Sequence, residues 1–416
     1  MPEQTTPSAR GLSRRHLLTG AAALGTAGLG TAALGTAGLG TAGLGWGAHH
    51  TATPVDGDMA EPFHGTHQGG IATPPQANAR FVGLDLGEGA DRATVSGLLK
   101  VWTEDAARLT RGEPALADTE PELAATPARL TVTVGIGPGV FAAADAVDRQ
   151  PSWLRPLPVF SIDRLDDSAW RQTDLLLQVC ADDPVAVAHA VRVLIKNVRS
   201  LVTVRWSQRG FQHARRSRPD GTTMRNLMGQ VDGTANPATD QFDRLVWDDG
   251  SKYPWLAGGT SLVLRRIRME LDTWEEIDRS GRELTVGRTL DTGAPLTGTD
   301  EHDEPDFAAT DRHGIPVIPP SSHIARAHHT HDGERFHRRA YNYDDPPEPG
   351  HVSNSGLIFA SYQRDIDTQF LPVQQRLAEF DALNQWTTPI GSAVYAIPPG
   401  TAPGHYLGQT LLGTLT

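Results

Sequence analysis

The sequence is very poor in cysteine. Cys180 is the only cysteine among 416 residues. An intrachain disulfide is therefore excluded, and one thiol cannot build a thiolate zinc site or an iron–sulfur cluster. Cys180 ends the apolar run 175–180, so we expect it to be buried in the core rather than reactive.

Positive charge is also in short supply. The chain has 37 Lys and Arg against 49 Asp and Glu, which gives a net charge of −12 at pH 7. An acidic chain repels phosphate backbones, so nucleic acid is not an expected partner. The composition, 38% hydrophobic and 21% charged, supports a sizeable core and excludes a wholly disordered chain. The length suits two or three units of ordinary domain size.

The longest uncharged stretch, residues 17–48, has the length of a membrane helix but not its composition. A repeat of Leu-Gly-Thr-Ala with Gly or Ala dilutes its hydrophobicity and weakens a helix. Before it, Ser-Arg-Arg-His-Leu-Leu at 13–18 resembles the twin-arginine export motif. We expect residues 1–60 to be a signal peptide and linker, with export to the periplasm, the cell surface or the medium. After cleavage no stable membrane insertion is expected; a retained N-terminal anchor is the alternative.

Strand and helix patterns alternate along the rest of the chain. The predicted strands are 129–134, with one face buried, and 175–180, 260–271, 357–362 and 393–397. The predicted helices are 185–198 and 367–383. This mixture in both halves favours an α+β fold over a doubly wound one.

Two acidic residues stand in suggestive surroundings. Asp232 is flanked by Gly233 and lies between Arg225 and the Asn-Pro pair at 236–237. That pattern predicts a tight loop at which the main chain approaches another group, although an ordinary Asp-Gly turn is the alternative. Asp381 lies on the second predicted helix, where a charged residue on the solvated face is the alternative.

A histidine-rich stretch follows residue 321. It contains His323, His328, His329 and His331, and is followed by His337, Arg338 and Arg339. This density suits metal coordination, but the spacing does not match a helical zinc motif. A solvated loop and a zinc hydrolase therefore stay open as alternatives.

Taken in order, these features resemble the dye-decolourising peroxidases. The resembling segments are 62–74, Gly-Gln-Val-Asp-Gly at 229–233 with its extension to 237, 287–288 with 292–296, Ser-His-Ile at 322–324, 362–365, 389–392 and 406–408. The Gly-x-x-Asp-Gly motif alone is weakly specific. The ordered series covers nearly the whole chain after the linker and is far more specific.

The resemblance implies an α+β fold of two ferredoxin-like domains, at 61–225 and 226–416, in the dimeric α+β barrel arrangement of the family. It implies one haem b per chain, bound mainly by the C-terminal domain, with hydrogen peroxide and an organic electron donor as partners. A homo-oligomer is compatible with it. The exported bacterial branch of this family includes deferrochelatases.

Residue by residue, the resemblance assigns His323 as the iron ligand. Asp232 and Arg338 match the catalytic aspartate and arginine of the peroxide side, with Arg339 as the alternative arginine. The further haem-binding positions are Gly233, Thr234, Ala235, Arg338 and Asp381, together with His328, His329 and Thr330, where relatives commonly have Asn-Pro-Arg. Asp381 is the expected hydrogen-bond partner of His323.

The expected function is a haem peroxidase that oxidises dye-like or phenolic donors. Asp232 moves the peroxide proton, and because carboxylates ordinarily titrate near pH 4, an acidic optimum is expected. Release of iron from haem and non-catalytic haem carriage are the alternatives that keep the cofactor.

Overall fold

The structure, a computed structural model, describes residues 59–347 and 349–413. The predicted signal segment therefore lies outside the described residues, apart from Met59 and Ala60. In the part that is described, no helix combines the length and the apolar character needed to cross a membrane.

Nine strands form one antiparallel sheet in this part of the chain. They are β1 (Asn78–Leu86), β2 (Thr131–Ile136), β3 (Leu175–Ala181), β4 (Val202–Phe211), β5 (Thr260–Met269), β6 (His337–Arg338), β7 (Tyr341–Asp344), β8 (Ser355–Gln363) and β9 (Thr387–Ile397). Their order is β5-β9-β2-β3-β1-β4-β7-β8-β6, and β8 also pairs with β5. The sheet therefore closes on itself as a barrel.

Each half of the barrel has the strand order of a ferredoxin-like unit. In the first half β1 lies between β4 and β3, and β2 follows β3. In the second half β5 lies between β9 and β8, and β7 follows β8. The halves join where β2 meets β9 and where β4 meets β7. The predicted α+β fold is confirmed, while the domain boundary at 225/226 stays a prediction.

Nine α-helices accompany the sheet in the same residues. They are α1 (Arg92–Leu109), α2 (Pro138–Ala143), α3 (Pro184–Val198), α4 (Phe242–Leu245), α5 (Leu271–Trp274), α6 (Arg279–Val286), α7 (His323–Ala327), α8 (Leu371–Phe380) and α9 (Gln409–Leu412). Helix α3 begins as its sequence predicts, because Asp183 caps it by accepting from the N–H of Val185 at 2.8 Å. Strand β5 ends at Met269, before the predicted end at 271, because Leu271 opens α5.

Both faces of the central strands are buried. In β3, Leu175, Leu177 and Val179 pack in one core cluster, while Leu176 and Cys180 pack in another. This follows from the alternation of side chains along a strand. Cys180 is buried, as predicted.

The prediction that β2 buries only one face is wrong. All six of its residues are buried. The second face is covered by the segment after residue 62, where Thr133 donates a hydrogen bond to the main-chain oxygen of Gly69 at 2.6 Å. Gly70 must be glycine, because its φ is +86° and a Cβ would lie 2.5 Å from Oγ1 of Thr133.

Candidate active site

Asp232 lies at the end of a tight loop between β4 and α4. The side chain of Asn226 shapes this loop: its Oδ1 accepts hydrogen bonds from the main-chain N–H groups of Met228 (3.0 Å) and Gln230 (3.2 Å). Gly229 has φ of +86° at the tip, a conformation that favours glycine. The predicted tight loop is therefore present, and its shape comes from side-chain as well as main-chain bonds.

Both carboxylate oxygens of Asp232 are held by neighbours. Oδ1 accepts a hydrogen bond from Nη1 of Arg338 at 3.0 Å, and Oδ2 accepts one from Nδ2 of Asn226 at 3.3 Å. The side chains of Asp232 and Arg338 are 13% and 23% exposed. The ion pair is thus largely shielded from bulk water yet open to a small molecule.

Arg339 is directed elsewhere. It is almost fully buried, and its guanidinium donates to the main-chain oxygen of Thr73 and to the side chain of Gln76. Adjacent residues of an extended chain place their side chains on opposite faces. The structure therefore brings Arg338, and not the alternative Arg339, to Asp232.

His323 is the first residue of α7 and contacts a buried carboxylate. Its Nδ1 forms a 2.6 Å hydrogen bond with Oδ2 of Asp381. The side chain of Asp381 is 4% exposed and that of His323 30%. An ionised carboxylate can only accept, so Nδ1 carries the proton. Among the described residues none forms a hydrogen bond with Nε2, which leaves that nitrogen available to a ligand.

Opposing effects set the pKa of His323. Burial alone would lower the pKa, but the charge and hydrogen bond of Asp381 outweigh burial and raise it above its ordinary value. Arg338 acts to lower the same pKa and Asp232 to raise it. Both members of the Asp232–Arg338 pair therefore lie within electrostatic range of the His323 ring.

Asp381 reaches His323 because the second predicted helix stops early. The prediction of one helix over 367–383 is wrong at both ends. A π-helical turn, Ile366–Phe370, precedes α8, and α8 ends at Phe380. Asp381 has extended backbone with φ −79° and ψ 121°, so it leaves the helix. The alternative of a solvated helix face is thereby wrong.

Two hydrogen bonds fasten this break next to the histidine. Oδ1 of Asp381 accepts from the N–H of Leu383 at 2.9 Å and so caps the following turn. The N–H of Ala382 donates to the main-chain oxygen of Ser321 at 2.8 Å. The segment carrying Asp381 is thus joined directly to the segment carrying His323.

Comparison with known proteins then identifies the family. The family model described as Dyp-type peroxidase, N-terminal, matches residues 68–212, and that described as Dyp-type peroxidase, C-terminal, matches residues 223–402. The chain is 42% identical over 360 residues to the dye-decolorizing peroxidase of Thermobifida fusca strain YX, covering 83% of each protein. The chain belongs to the DyP-type peroxidase family.

Two further proteins are similar to this DyP-type peroxidase over most of its length. The deferrochelatase of Yersinia pestis is 35% identical over 373 residues, with 85% of each protein covered. The crystal structure of the DyP-type peroxidase from Cellulomonas bogoriensis is 57% identical, with a TM-score of 0.85, and covers 87% of this chain and 100% of that chain. Family membership makes this chain a haem peroxidase, which uses hydrogen peroxide and an electron donor. The predicted family and enzyme class are confirmed.

The residues after Asp232 present little side chain. Gly233 has φ of +138°, and a Cβ there would lie 3.1 Å from Cγ2 of Thr223. The hydroxyl of Thr234 donates to Oε1 of Glu301 at 2.9 Å, and Ala235 is exposed with only a methyl group. A flat cofactor placed against this segment would meet main chain and a methyl group, so the residues fit the haem contact that the resemblance implies, which stays a prediction.

The predicted contact at 328–330 lies in a well-anchored loop of this DyP-type peroxidase. The rings of His328 and His329 lie with their centroids 4.6 Å apart. The N–H and the hydroxyl of Thr330 both donate to the buried Glu334, at 2.8 and 2.9 Å. Burial lowers the pKa of His329, and the neighbouring His328 lowers it further. The lowered pKa favours the neutral form of His329.

The zinc alternative gains no support from this loop. Within residues 59–347 and 349–413, no group of three or more His, Cys, Asp or Glu side chains is placed to hold a metal ion. His323 instead pairs with the single carboxylate of Asp381.

Sequence reasoning missed Arg288 and Glu301, which hold the chain next to the loop that carries Asp232. Arg288 donates to the main-chain oxygens of Gly293 and Glu301, both at 2.7 Å. Burial lowers the pKa of Arg288, opposed by Glu301 and reinforced by Arg338. The carboxylate of Glu301 also accepts from Thr223 at 2.6 Å. No local sequence signal distinguishes Glu301 from its acidic neighbours, because its partners lie far away in the chain.

Sequence reasoning also missed the two asparagines of the loop that carries Asp232. Asn226 and Asn236 lie six residues before and four residues after Asp232. Asn226 binds the Asp232 carboxylate, and Asn236 binds the main chain of Arg338. Their positions inside the motif were a signal, but their targets depend on how the loop folds.

Proposed function

We propose that this peroxidase binds one haem b per chain through Nε2 of His323 and activates hydrogen peroxide with Asp232 and Arg338. The proposal rests on one observation: the His323–Asp381 pair and the Asp232–Arg338 pair lie within electrostatic range of each other. The electron donor is a dye-like or phenolic compound, in line with the name of the Thermobifida fusca relative.

The residues present fit a haem. Iron needs an unprotonated imidazole nitrogen, and Asp381 keeps the ring proton on Nδ1 so that Nε2 is free. A carboxylate on the far nitrogen makes such a ligand more basic and fixes the ring orientation. When bound, haem supplies the iron at which peroxide is reduced and holds the resulting oxidising equivalents.

Asp232 serves as the proton carrier. Its carboxylate accepts the proton from one peroxide oxygen and returns it to the other, which leaves as water. Arg338 and Asn226 hold the two carboxylate oxygens, so the side chain is already oriented for both transfers. The guanidinium of Arg338 stabilises negative charge on the peroxide oxygens.

Two variants test binding and catalysis separately. His323→Ala removes the proposed iron ligand, so it should fold and purify with little haem. Asp232→Asn should keep its haem but react with hydrogen peroxide about 10²–10⁴-fold more slowly, the usual reach of general acid–base catalysis. Haem content by absorbance and stopped-flow mixing with peroxide are the measurements.

The matched control is Asp240→Asn, which removes an exposed carboxylate from the same region and should react at the parent rate. Full haem occupancy in His323→Ala would show that His323 is not the iron ligand. A parent-like rate in Asp232→Asn would remove Asp232 from proton transfer. A parent protein that binds haem but does not react with peroxide would instead be a carrier.

Release of iron from haem is the second candidate, favoured by the 35% identity to a deferrochelatase. Incubation of the protein with haem, followed by chromatography for metal-free porphyrin, tests it. Detection of porphyrin in amounts that scale with enzyme would add this activity. Intact haem alone would exclude it.

We also propose export by the twin-arginine route, supported by Arg14 and Arg15 followed by a weakly apolar stretch. Such signals are read as a receptor address, so Arg14→Lys combined with Arg15→Lys should leave the protein in the cytoplasm. Immunoblotting of cell fractions measures this, with Arg10→Lys as the control. Undiminished export of the double variant would contradict the route.

A further inference from the structure

The side-chain amide of Asn236 makes two hydrogen bonds to one residue. Its Nδ2 donates to the main-chain oxygen of Arg338 at 2.8 Å, and its Oδ1 accepts from the main-chain N–H of Arg338 at 2.9 Å. Asn236 therefore pairs with Arg338 as a neighbouring strand would, with one donor and one acceptor.

This pairing matters because the strand that carries Arg338 is minimal. Strand β6 has two residues and pairs with β8 on one side, and the next N–H, that of Arg339, donates to Ala360 at 2.8 Å. The main-chain N–H and C=O of Arg338 form their hydrogen bonds with the side chain of Asn236. Without the amide, the main-chain N–H and C=O of the half-buried Arg338 would lose these partners, which costs free energy.

Asn236 is itself fixed in the loop that carries Asp232. Its N–H donates to the main-chain oxygen of Gly233 at 3.0 Å, and the buried Pro237 follows it. The amide thus connects two segments 102 residues apart in the chain. One segment supplies the carboxylate and the other the guanidinium of the catalytic pair.

We propose that Asn236 is a positioning residue for peroxide activation, which sets the placement of Arg338 against Asp232. The inference rests on the proposed roles of these two residues. Only a primary amide of this length can make both bonds, because aspartate accepts but cannot donate and leucine does neither. Misplacement of a catalytic group by about 1 Å can cost about 10²-fold in rate.

A double-mutant cycle tests the proposal on the haem-loaded protein. The variants are Asn236→Leu, Arg338→Leu and the combination, each mixed with hydrogen peroxide in a stopped-flow instrument. Asn236→Leu should lower the second-order rate constant roughly 10- to 100-fold. In the Arg338→Leu background the same change should have almost no further effect, because its target is already gone. The KM for the dye should not change.

Azide affinity gives a readout that is independent of turnover. Arg338 attracts anions, so Asn236→Leu should weaken azide binding to the resting protein several-fold. Asn236→Asp keeps one of the two bonds but adds a negative charge, so it should weaken azide binding as well. Asn78→Leu is the control, since Asn78 is a half-buried amide that donates to the main-chain oxygen of Asp182 at 3.1 Å. It should leave rate and azide affinity unchanged.

The outcomes separate this inference from the proposed function. Equal losses from Asn236→Leu in both backgrounds, or a parent-like rate in Asn236→Leu and Asn236→Asp, would overturn the positioning role alone. A parent-like rate in Arg338→Leu would overturn the proposed catalytic role and the inference with it. Should Asn236→Leu not fold, the Asn236→Asp variant carries the same comparison.

Discussion

Arg338 and Arg339 are chemically identical neighbours with different surroundings. Arg338 forms an ion pair with Asp232 at 3.0 Å in a partly open pocket. Arg339 is buried and donates to Thr73 and Gln76. At the residue scale, the charge of Arg338 therefore lies in the partly open pocket, whereas the charge of Arg339 binds buried groups of the core.

Leucine substitutions should reveal this difference. Arg338→Leu should slow the reaction with peroxide about 10²-fold or more, because a preorganised charge is lost, with little change in stability. Arg339→Leu should destabilise the fold by about 2–4 kcal/mol, because it leaves buried acceptors without a donor. Stopped-flow rates and urea unfolding measure the two effects. The reverse assignment, with Arg339→Leu stable and slow, would make Arg339 the catalytic arginine.

At the scale of elements, the decisive feature is the end of α8. The helix stops at Phe380, and the extended backbone of Asp381 turns its carboxylate to His323 while capping the next turn. If α8 continued through Asp381, helical backbone would direct this carboxylate differently from the extended backbone that is observed. The break is thus what couples the carboxylate to the histidine.

Asp381→Asn tests this coupling. The amide keeps an oxygen for the cap at Leu383 but removes the negative charge beside His323, so the proposed iron ligand becomes less basic. The haem reduction potential should rise by roughly 10–100 mV, given that a tenfold change in an equilibrium constant corresponds to 59 mV for one electron. Spectroelectrochemistry measures it. Glu379→Gln, which removes a charge from the same helix without contact to His323, is the control, and an equal shift in both variants would contradict a specific role of Asp381.

At the scale of the whole molecule, the barrel buries titratable groups that oppose acid stability. The ring of His337 packs near those of Phe242 and Tyr362, whose centroids are 4.9 and 6.3 Å away. Burial lowers the pKa of His337 to about 4, and Arg339 contributes to this. The unfolded chain, with an ordinary histidine pKa near 6.5, therefore binds this proton more readily than the folded protein does.

The free energy of unfolding should therefore fall as the pH drops from about 6.5 to 4, and the total loss due to His337 should be about 3 kcal/mol. Below pH 4 this residue should cause no further loss. Above pH 6.5 the contribution is constant. His337→Gln should flatten this part of the profile. Urea unfolding of both proteins at pH 7, 5.5 and 4.5 measures the difference, and parallel profiles would contradict it. The acidic optimum expected from Asp232 then competes with falling stability.

Local pattern was sufficient where structure depends on neighbours in the chain. Strand β3 and helix α3 follow from an apolar run and from the Asp-Pro start at 183–184. The burial of Cys180 follows from the same run. The ordered motifs identified the family and, with it, the fold and the enzyme class. The export signal at the N-terminus lies outside the described residues and stays a prediction.

Tertiary structure decided what depends on distant partners. Sequence alone named both arginines, but only the barrel shows which face each takes. Sequence alone placed Asp381 within a helix. In the structure the helix ends before Asp381, which contacts His323, 58 residues earlier in the chain. Asn236 became visible only through its bonds to a strand 102 residues away. The physical reason is common to all three: a hydrogen bond or ion pair across the closed sheet has no periodic trace in the sequence, because its geometry exists only once both segments are in place.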